Sequence, residues 1–523
     1  MTAAAEGHVP AAGEPAVFCR PVVTAPAAVR RDGTVLADAW LPDMVRLGGL
    51  EARLGDGVIE AAVDAAVTAG RLRMRQRRRI MSYPLVVRLM IAMTLMPDAS
   101  YCEALGRLAG LLADIPFALE WHVPTEKVIT GWRLPVPPAL LESLFWQAAG
   151  PLIADDEPSA VMLAGRPVAA ADGMLVNLAD TPANRAFFGS TGTADGSSPF
   201  PQLRIVAVTA RAGRAMLGAI PGRAGAGEQT LLKRLVERRP ELFAGRVVCF
   251  DRNFPGHDLI TAILKADGHV VARVKEGISL PFDGPDRGWL PDGSRMTWLN
   301  APSGKKADRL PVRAAEHNVI LPSGDGEEEP SETCTVITTL LDHEAAPAGA
   351  VRDAYLTRWS ASETTFGEDK ATIAGAGNRT SGPVLRSGSP RLVIQEAWAW
   401  LTATQLVRAS DAAALRSEHA AARALRRRSR ALVTADEESF TAGVRHAIRS
   451  MTSTQVTAAS SLEALAAAAD AAARACLHTL NLPGRQRHSR RAQKARPKFP
   501  HASATKTTAT GKPQVTVFAP GFS

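Results

Sequence analysis

The chain has 523 residues, of which 46% are hydrophobic and 22% charged, a composition typical of a globular protein with roughly two to four domains. Its net charge of +9 and pI near 9.6 favour a polyanionic partner. The five cysteines are scattered without a C-x-x-C pair, which excludes a disulfide framework and a cysteine-based zinc site and indicates reduced thiols.

Residues 1–34 are rich in Pro, Ala and Gly and show little periodicity, which predicts a flexible tail. From 35 to 155 helical periodicity recurs, as in GVIEAAVDAAV and PALLESLFWQAAGPLI, and predicts a helical N-terminal domain. The longest apolar run, 85–96, is too short to span a bilayer and contains Arg88. Because a basic leader is also lacking, we expect no membrane partner and a bacterial cytoplasmic location.

Strand patterns take over in the segment 156–274. PVAAADGMLVNL, QLRIVAVTA and AMLGAIPG are separated by turn residues and predict an antiparallel meander. An amphipathic helix over Glu228–Arg239, a strand in RVVCFD and a helix in HDLITAILKADG follow. This order predicts an α/β sandwich with a mixed sheet.

Short alternating runs with Pro and Gly turns then predict a β-rich insertion over 275–333. TCTVITTLL predicts a strand that returns to the core, whose second part covers 334–410 and includes a helix from about Val351. Residues 374–390 are predicted to form a loop, followed by a helix in RLVIQEAWAWLTATQLVRA. We expect a helical C-terminal region over 411–482 and a basic, disordered tail over 483–523.

Three acidic residues occupy prominent positions in separate elements. Asp172 interrupts an apolar run from Val168 to Leu178, and Asp251 ends the apolar run of GRVVCFD before the turn residues NFPG. Glu363 belongs to the stretch YLTRWSASETTFGEDK. The sequence thus predicts two aspartates on strands and one glutamate on a helix.

The stretch around Glu363 has an unusual helical stripe. At roughly 100° per residue, Tyr355, Trp359, Glu363, Phe366 and Lys370 lie on one face of a helix. A stripe that combines an acid, a base and aromatic rings is better suited to a polar substrate or a metal than to an apolar core.

Together these segments resemble a DDE transposase of the insertion sequence 4 type. DGMLVNLADTPANRAFFG is similar to the segment around that family's first catalytic aspartate, FDRNFPG to the second, and YLTRWSASETTFGEDK to its signature helix. RRRIMSYPLVVRLMIAMTLMPDASYCEALGRL resembles the family's helical N-terminal domain. The resemblance covers about residues 35–410 and implies an RNase H-like catalytic core of the retroviral-integrase superfamily.

The resemblance implies catalytic and metal-binding roles for Asp172, Asp251 and Glu363 around two Mg²⁺ ions, with Mn²⁺ as a substitute. Its implied partner is double-stranded DNA, as element terminal inverted repeats and target DNA, bound by a homodimer. We therefore expect metal-dependent cleavage and strand transfer by a nucleoid-associated, cut-and-paste enzyme.

The signature segment implies further contacts to DNA. Lys370 would place a charge on phosphate, Arg358 would grip phosphate, and Tyr355 would donate a hydrogen bond to the same backbone. Trp359 would stack on a base pulled from the duplex in hairpin-forming members. Trp298, in the insertion, is a weaker candidate wedge.

One departure from the family pattern affects these assignments. Four residues separate Arg358 from Glu363, where the family has three, whereas the spacing from Glu363 to Lys370 is kept. Either the helix carries a local bulge or Arg358 is not the equivalent arginine. An inactive, transposase-derived DNA-binding protein and an RNase H-like nuclease that cuts without joining are the alternative functions.

Several residues also have simpler readings. Asp172 or Asp251 alone could be a residue at the end of a strand or in a turn. Asp180 suits a turn or a helix N-cap, and Trp359 could pack in a hydrophobic core. GRAGAGEQT lacks the Gly-Lys-Ser/Thr ending of a phosphate loop and predicts a turn. The basic runs 71–79 and 485–498 suit phosphate contacts or solvated surface, and ALRRRSRAL a surface helix.

Overall fold

The computed structural model describes the chain in several stretches separated by gaps. The described residues are 28–29, 35–36, 47, 49–55, 57–73, 81–96, 99–109, 123–156, 162–193, 196–197, 200–210, 215–275, 280–281, 288–302, 304–305, 308–322, 328–356, 384–425, 488–489, 491–492, 501–502, 508–509 and 514–517.

The described helices are numbered here in chain order. They are α1 (Gly49–Leu54), α2 (Val58–Thr68), α3 (Tyr83–Thr94), α4 (Tyr101–Ala109), α5 (Glu126–Arg133), α6 (Pro138–Asp156), α7 (Pro182–Phe188), α8 (Glu228–Arg238), α9 (His257–Lys265), α10 (Ala348–Leu356) and α11 (Pro390–Leu425), with a 3₁₀ turn at Pro240–Leu242. None of these helices combines the length and the apolar content that crossing a bilayer requires.

The described strands include long core strands and several pairs of two residues. They are β1 (Ala28–Val29), β2 (Val35–Leu36), β3 (Met162–Leu163), β4 (Arg166–Leu178), β5 (Gly192–Thr193), β6 (Gly196–Ser197), β7 (Gln202–Ala210), β8 (Met216–Arg223), β9 (Val247–Phe250), β10 (His269–Arg273), β11 (Arg295–Leu299), β12 (Leu310–Pro322), β13 (Glu328–Thr338), β14 (Val384–Leu385), β15 (His488–Ser489), β16 (Arg491–Ala492), β17 (His501–Ala502), β18 (Thr508–Ala509) and β19 (Gln514–Val517).

The centre of the molecule is a mixed sheet. Its main path in the described residues runs β11-β12-β13-β10-β9-β4-β7-β8, with β3 and β14 beside β4 and β19 beside β12. β4, β7 and β8 form the predicted antiparallel meander, whereas β9 is parallel to β4 and β10 is parallel to β9. The order β8-β7-β4-β9-β10, with α8 and α9 as the two crossovers, is consistent with an RNase H-like fold.

The sheet has helices on both faces because its strands are apolar on both sides. All four residues of β9, VVCF, are buried, as expected for a central parallel strand. One face packs against α8 and α9. The other packs against the N-terminal helices and α11 at one end and against α10 at the other.

The N-terminal helices share a hydrophobic core with the sheet. Leu85 of α3 and Phe145 of α6 belong to the same cluster as Met174 of β4, Ile205 of β7 and Trp400 of α11. The helical character predicted for residues 35–155 is therefore seen where the structure describes them. The domain boundaries drawn from the sequence stay predictions.

The region predicted as a β-rich insertion extends the core sheet. β13 pairs antiparallel with β10, and β12 and β11 continue the sheet outward. β19, from the predicted disordered tail, adds to β12 through pairs such as Asn318 with Thr516. The sequence did not predict that strand.

Candidate active site

The two strand-borne aspartates lie side by side. Ala171 of β4 is in register with Phe250 of β9 in the parallel pair. Asp172 is the residue after Ala171, and Asp251 is the residue after Phe250. Neighbouring strands in a sheet are about 4.8 Å apart. The sheet thus brings together two acids that are 79 positions apart in the sequence.

The alternation of side chains along a strand, continued by one residue beyond the end of β9 to Asp251, predicts that both carboxylates face the same side of the sheet. Side chains alternate along a strand, so Asp172 shares its face with Val168, and Asp251 shares its face with Val247 and Cys249. These three apolar residues belong to the cluster that packs against α10. The aspartate pair therefore lies on the α10 side of the sheet, beyond that apolar cluster.

Local hydrogen bonds orient each carboxylate. Asp172 Oδ1 accepts from the Gly173 N–H at 2.8 Å, and Asp251 Oδ1 accepts from the Arg252 N–H at 2.6 Å. The Phe254 N–H closes the turn onto the Asp251 carbonyl oxygen at 3.0 Å. Both aspartates are half-buried, and an ionised carboxylate can accept several hydrogen bonds or metal contacts at once.

A further carboxylate, which the sequence did not point to, lies near the pair on the α8 face of the sheet, against Gly173. Glu228 is the first residue of α8, and its Oε1 accepts from Arg204 Nη1 at 2.5 Å. Burial raises the pKa of Glu228, the negative charges of Asp172 and Asp251 raise it further, and Arg204 opposes the rise. No spacing in the sequence connects Glu228 with either aspartate, because only the folded sheet brings them near.

Helix α10 carries the beginning of the predicted signature helix. Tyr355 is only 4% exposed and packs in the cluster of Val351, Cys249 and Val271. Cys249 Sγ donates to the Ala354 carbonyl oxygen at 3.5 Å, which holds the end of α10 on β9. The structure thus gives the Tyr355 ring a packing role, and its predicted contact with DNA stays a prediction.

The other residues of the signature stretch, Arg358, Trp359, Glu363 and Lys370, lie outside the described residues. The elements on either side of that stretch are both fixed to the sheet. α10 ends at Leu356, and β14 pairs with Asn177 and Leu178 of β4. Glu363 follows Leu356 by seven residues, a length of chain that reaches at most about 25 Å.

The loop after β14 is anchored by buried polar contacts. The Glu396 carboxylate accepts from the Arg386 and Ser387 N–H groups at 3.0 and 2.9 Å. Arg133 Nη2 of α5 donates to Ser387 Oγ at 3.0 Å, and Asn184 Nδ2 of α7 donates to the Ser387 carbonyl oxygen at 3.0 Å. These contacts tie the chain beyond the signature stretch to α5, α7 and α11.

The donor set at the aspartates suits a hard divalent cation. Carboxylate oxygens are what Mg²⁺ and Mn²⁺ prefer, and Mg²⁺ needs only a few of them beside water and phosphate. Among the described residues, no group of three or more His, Cys, Asp or Glu is arranged as a metal site. Two of the three predicted ligands are therefore adjacent, while the third lies outside the described ranges.

Three local predictions can be compared with the structure. Within GRAGAGEQT, residues 224–227 form the turn between β8 and α8, and the flanking residues belong to those two elements. The N-cap of α7 is Thr181, whose hydroxyl accepts from the Asn184 N–H at 3.2 Å. Asp180 lies just before this cap and forms an ion pair with Arg185 inside the helix. Trp298 lies half-buried on β11, opposite Pro311.

The chain has a distant structural likeness to a solved transposase structure. No family model and no curated protein matches the chain. A solved structure described as a piggyBac transposase synaptic complex with hairpin DNA is similar at a TM-score of 0.38 and 10% identity, over 84% of this chain and 86% of that one. A likeness this distant supports no argument about function, so the interpretation rests on the strand order and the aspartate pair.

Proposed function

We propose that the chain is a DNA transposase of the DDE type, in the insertion sequence 4 branch, that cleaves element ends and joins them to target DNA. The observation that carries the proposal is the adjacency of Asp172 and Asp251 on neighbouring parallel strands of a mixed sheet. The order of strands and crossovers supports it, because it is consistent with an RNase H-like core.

The aspartates would hold divalent cations, with Glu363 as the third ligand. Mg²⁺ bound there, or Mn²⁺ in its place, would lower the pKa of the attacking hydroxyl or water and stabilise the leaving oxygen. The protein's own contribution is to keep the two carboxylates at a fixed separation through the β4–β9 pairing. The local N–H bonds to Asp172 and Asp251 keep one oxygen of each oriented.

DNA is the proposed partner because a chain with a net charge of +9 attracts polyanions. Lys370 and Arg358 would contact phosphate, and Trp359 would stack on an unpaired base. The N-terminal helices would bind the element ends. A homodimer is proposed because both ends of an element must be brought together.

A strand-transfer assay tests the proposal. The full chain is incubated with Mg²⁺, a target plasmid and pre-cleaved duplexes taken from the DNA that flanks its own gene. Joined products are expected. Cleavage without joining would indicate a nuclease, and duplex binding without any product would indicate an inactive DNA-binding protein.

Single substitutions assign the chemistry within that assay. Asp172→Asn, Asp251→Asn and Glu363→Gln should each abolish joining while duplex binding in a gel-shift assay remains. Asp180→Asn is the matched control, because Asp180 comes two residues after β4, is exposed and pairs with Arg185. Joining that survives at a wild-type rate in Asp172→Asn would rule out the proposed site.

A further inference from the structure

The first turn of α8 fits into space left by two glycines beside the aspartates. A Cβ atom placed on Gly173, the residue after Asp172, would lie 2.6 Å from Glu228 Oε1. A Cβ atom on Gly256 would lie 2.8 Å from Gln229 Oε1. A larger residue at either position would force the Glu228 or Gln229 side chain to move, so both glycines permit a close approach of these side chains.

Polar contacts hold this turn in place. Arg204 of β7 donates from Nη1 to Glu228 Oε1 at 2.5 Å and from Nε to the Ala224 carbonyl oxygen at 3.3 Å. Gln229 Nε2 donates to the Asn253 carbonyl oxygen at 3.0 Å, two residues after Asp251. The Arg204 and Glu228 side chains are 16% and 19% exposed, so this ion pair is shielded from much of the solvent.

The charge balance of this region is unusual. Glu228 interacts electrostatically with both Asp172 and Asp251, and each aspartate acts to raise the pKa of Glu228. The opposing cation at Glu228 is Arg204. An ionised Glu228 therefore makes the field at the aspartates more negative than those two residues alone would.

We infer that Glu228, fixed by Arg204 against Gly173, is a positioning residue of the aspartate site that supplies an additional negative charge for cation binding. The inference rests on the proposed function. Glu228 acts in two ways, through its contact with the backbone next to Asp172 and through its charge. It is not assigned as a metal ligand, since no three carboxylates among the described residues form a ligand set.

Mn²⁺ titration calorimetry on the full chain tests the role of Glu228. Glu228→Gln keeps the shape of the side chain and an oxygen for Arg204 but removes the charge. It should weaken Mn²⁺ binding about fivefold to tenfold, the order expected for losing one nearby charge whose field Arg204 partly offsets. Glu237→Gln, on the exposed side of α8 with a side chain 57% exposed, is the matched control and should bind like wild type.

A second pair of variants separates charge from shape. Glu228→Asp and Glu228→Asn shorten the side chain equally and differ in charge alone, so Mn²⁺ should bind the Asp variant about fivefold to tenfold more tightly. This comparison decides the question if Glu228→Gln fails to fold by circular dichroism. Equal affinities within the pair would overturn the inference.

The outcomes distinguish this inference from the proposed function. If Asp172→Asn abolishes Mn²⁺ binding while Glu228→Gln binds like wild type, Glu228 has no such role and the aspartate site stands. If wild-type protein binds no Mn²⁺, the proposed cation site is wrong and the inference falls with it. Weakening in Glu228→Gln together with loss in Asp172→Asn supports both.

Discussion

Replacing Gly173 by alanine tests how tightly α8 packs beside the aspartate pair. The new Cβ atom would meet the Glu228 side chain, with Oε1 at 2.6 Å and both Cδ and Cγ at 2.8 Å. Alanine alone would favour the strand by about 0.5–1 kcal/mol, because glycine loses more conformational freedom on folding. Overpacking typically costs about 1–3 kcal/mol, so we expect a net destabilisation of about 1–2 kcal/mol.

A double-mutant cycle assigns that cost to the named contact. Glu228→Ala removes all three of the crowding atoms, so Gly173→Ala should become neutral or slightly stabilising in that background. Gly131→Ala, inside α5 with no atom within 4 Å of its added Cβ, should stabilise by about 0.5–1 kcal/mol.

The free energy of unfolding is measured by urea denaturation followed by tryptophan fluorescence. The same penalty for Gly173→Ala with and without Glu228 would refute the packing described here. So would a Gly173→Ala variant at least as stable as wild type.

Two further predictions concern buried charge. Arg88→Met should destabilise by about 3–5 kcal/mol in urea denaturation, because the carboxylate of Glu51, itself 1% exposed, would lose the charge of the Arg88 guanidinium while it stays buried. An equal effect from Arg238→Met, which removes a more exposed ion pair with Glu142, would contradict this. Burial lowers the pKa of His317 to about 4 from its ordinary 6.5. As pH falls, this histidine is therefore protonated in the unfolded chain before it is protonated in the folded chain. Between pH 6.5 and 4 the free energy of unfolding should drop by on the order of 2–3 kcal/mol more in wild type than in His317→Leu. Parallel pH profiles of the two proteins would show that His317 is not buried in its neutral form.

Local sequence patterns predicted much of the core sheet. The apolar run VVCF of β9 and the meander β4-β7-β8 form strands as expected, because period and turn residues are local signals. α8 and α9 also match their predicted positions. No helix was predicted at α7, between β4 and β7, where the sequence indicated turn residues and gave Asp180 as a turn or N-cap residue.

What the sequence could not reveal depends on long-range packing. The Asp172–Asp251 adjacency was anticipated through the family resemblance, and the parallel register of β4 and β9 accounts for it physically. The approach of Glu228 arises from the crossover into α8 and the space at Gly173. The burial of Tyr355 follows from α10 packing on β9 and β10, which helical periodicity alone does not distinguish from a substrate-facing stripe.

The most direct test of the proposed site is the anomalous scattering of Mn²⁺ in crystals of the full chain bound to duplex DNA. We predict an anomalous peak in contact with the carboxylates of both Asp172 and Asp251, with Glu363 completing the ligand set at about 2.0–2.5 Å. Well-ordered crystals in which Mn²⁺ lies elsewhere, or in which Glu363 points away from the aspartate pair, would contradict the proposal.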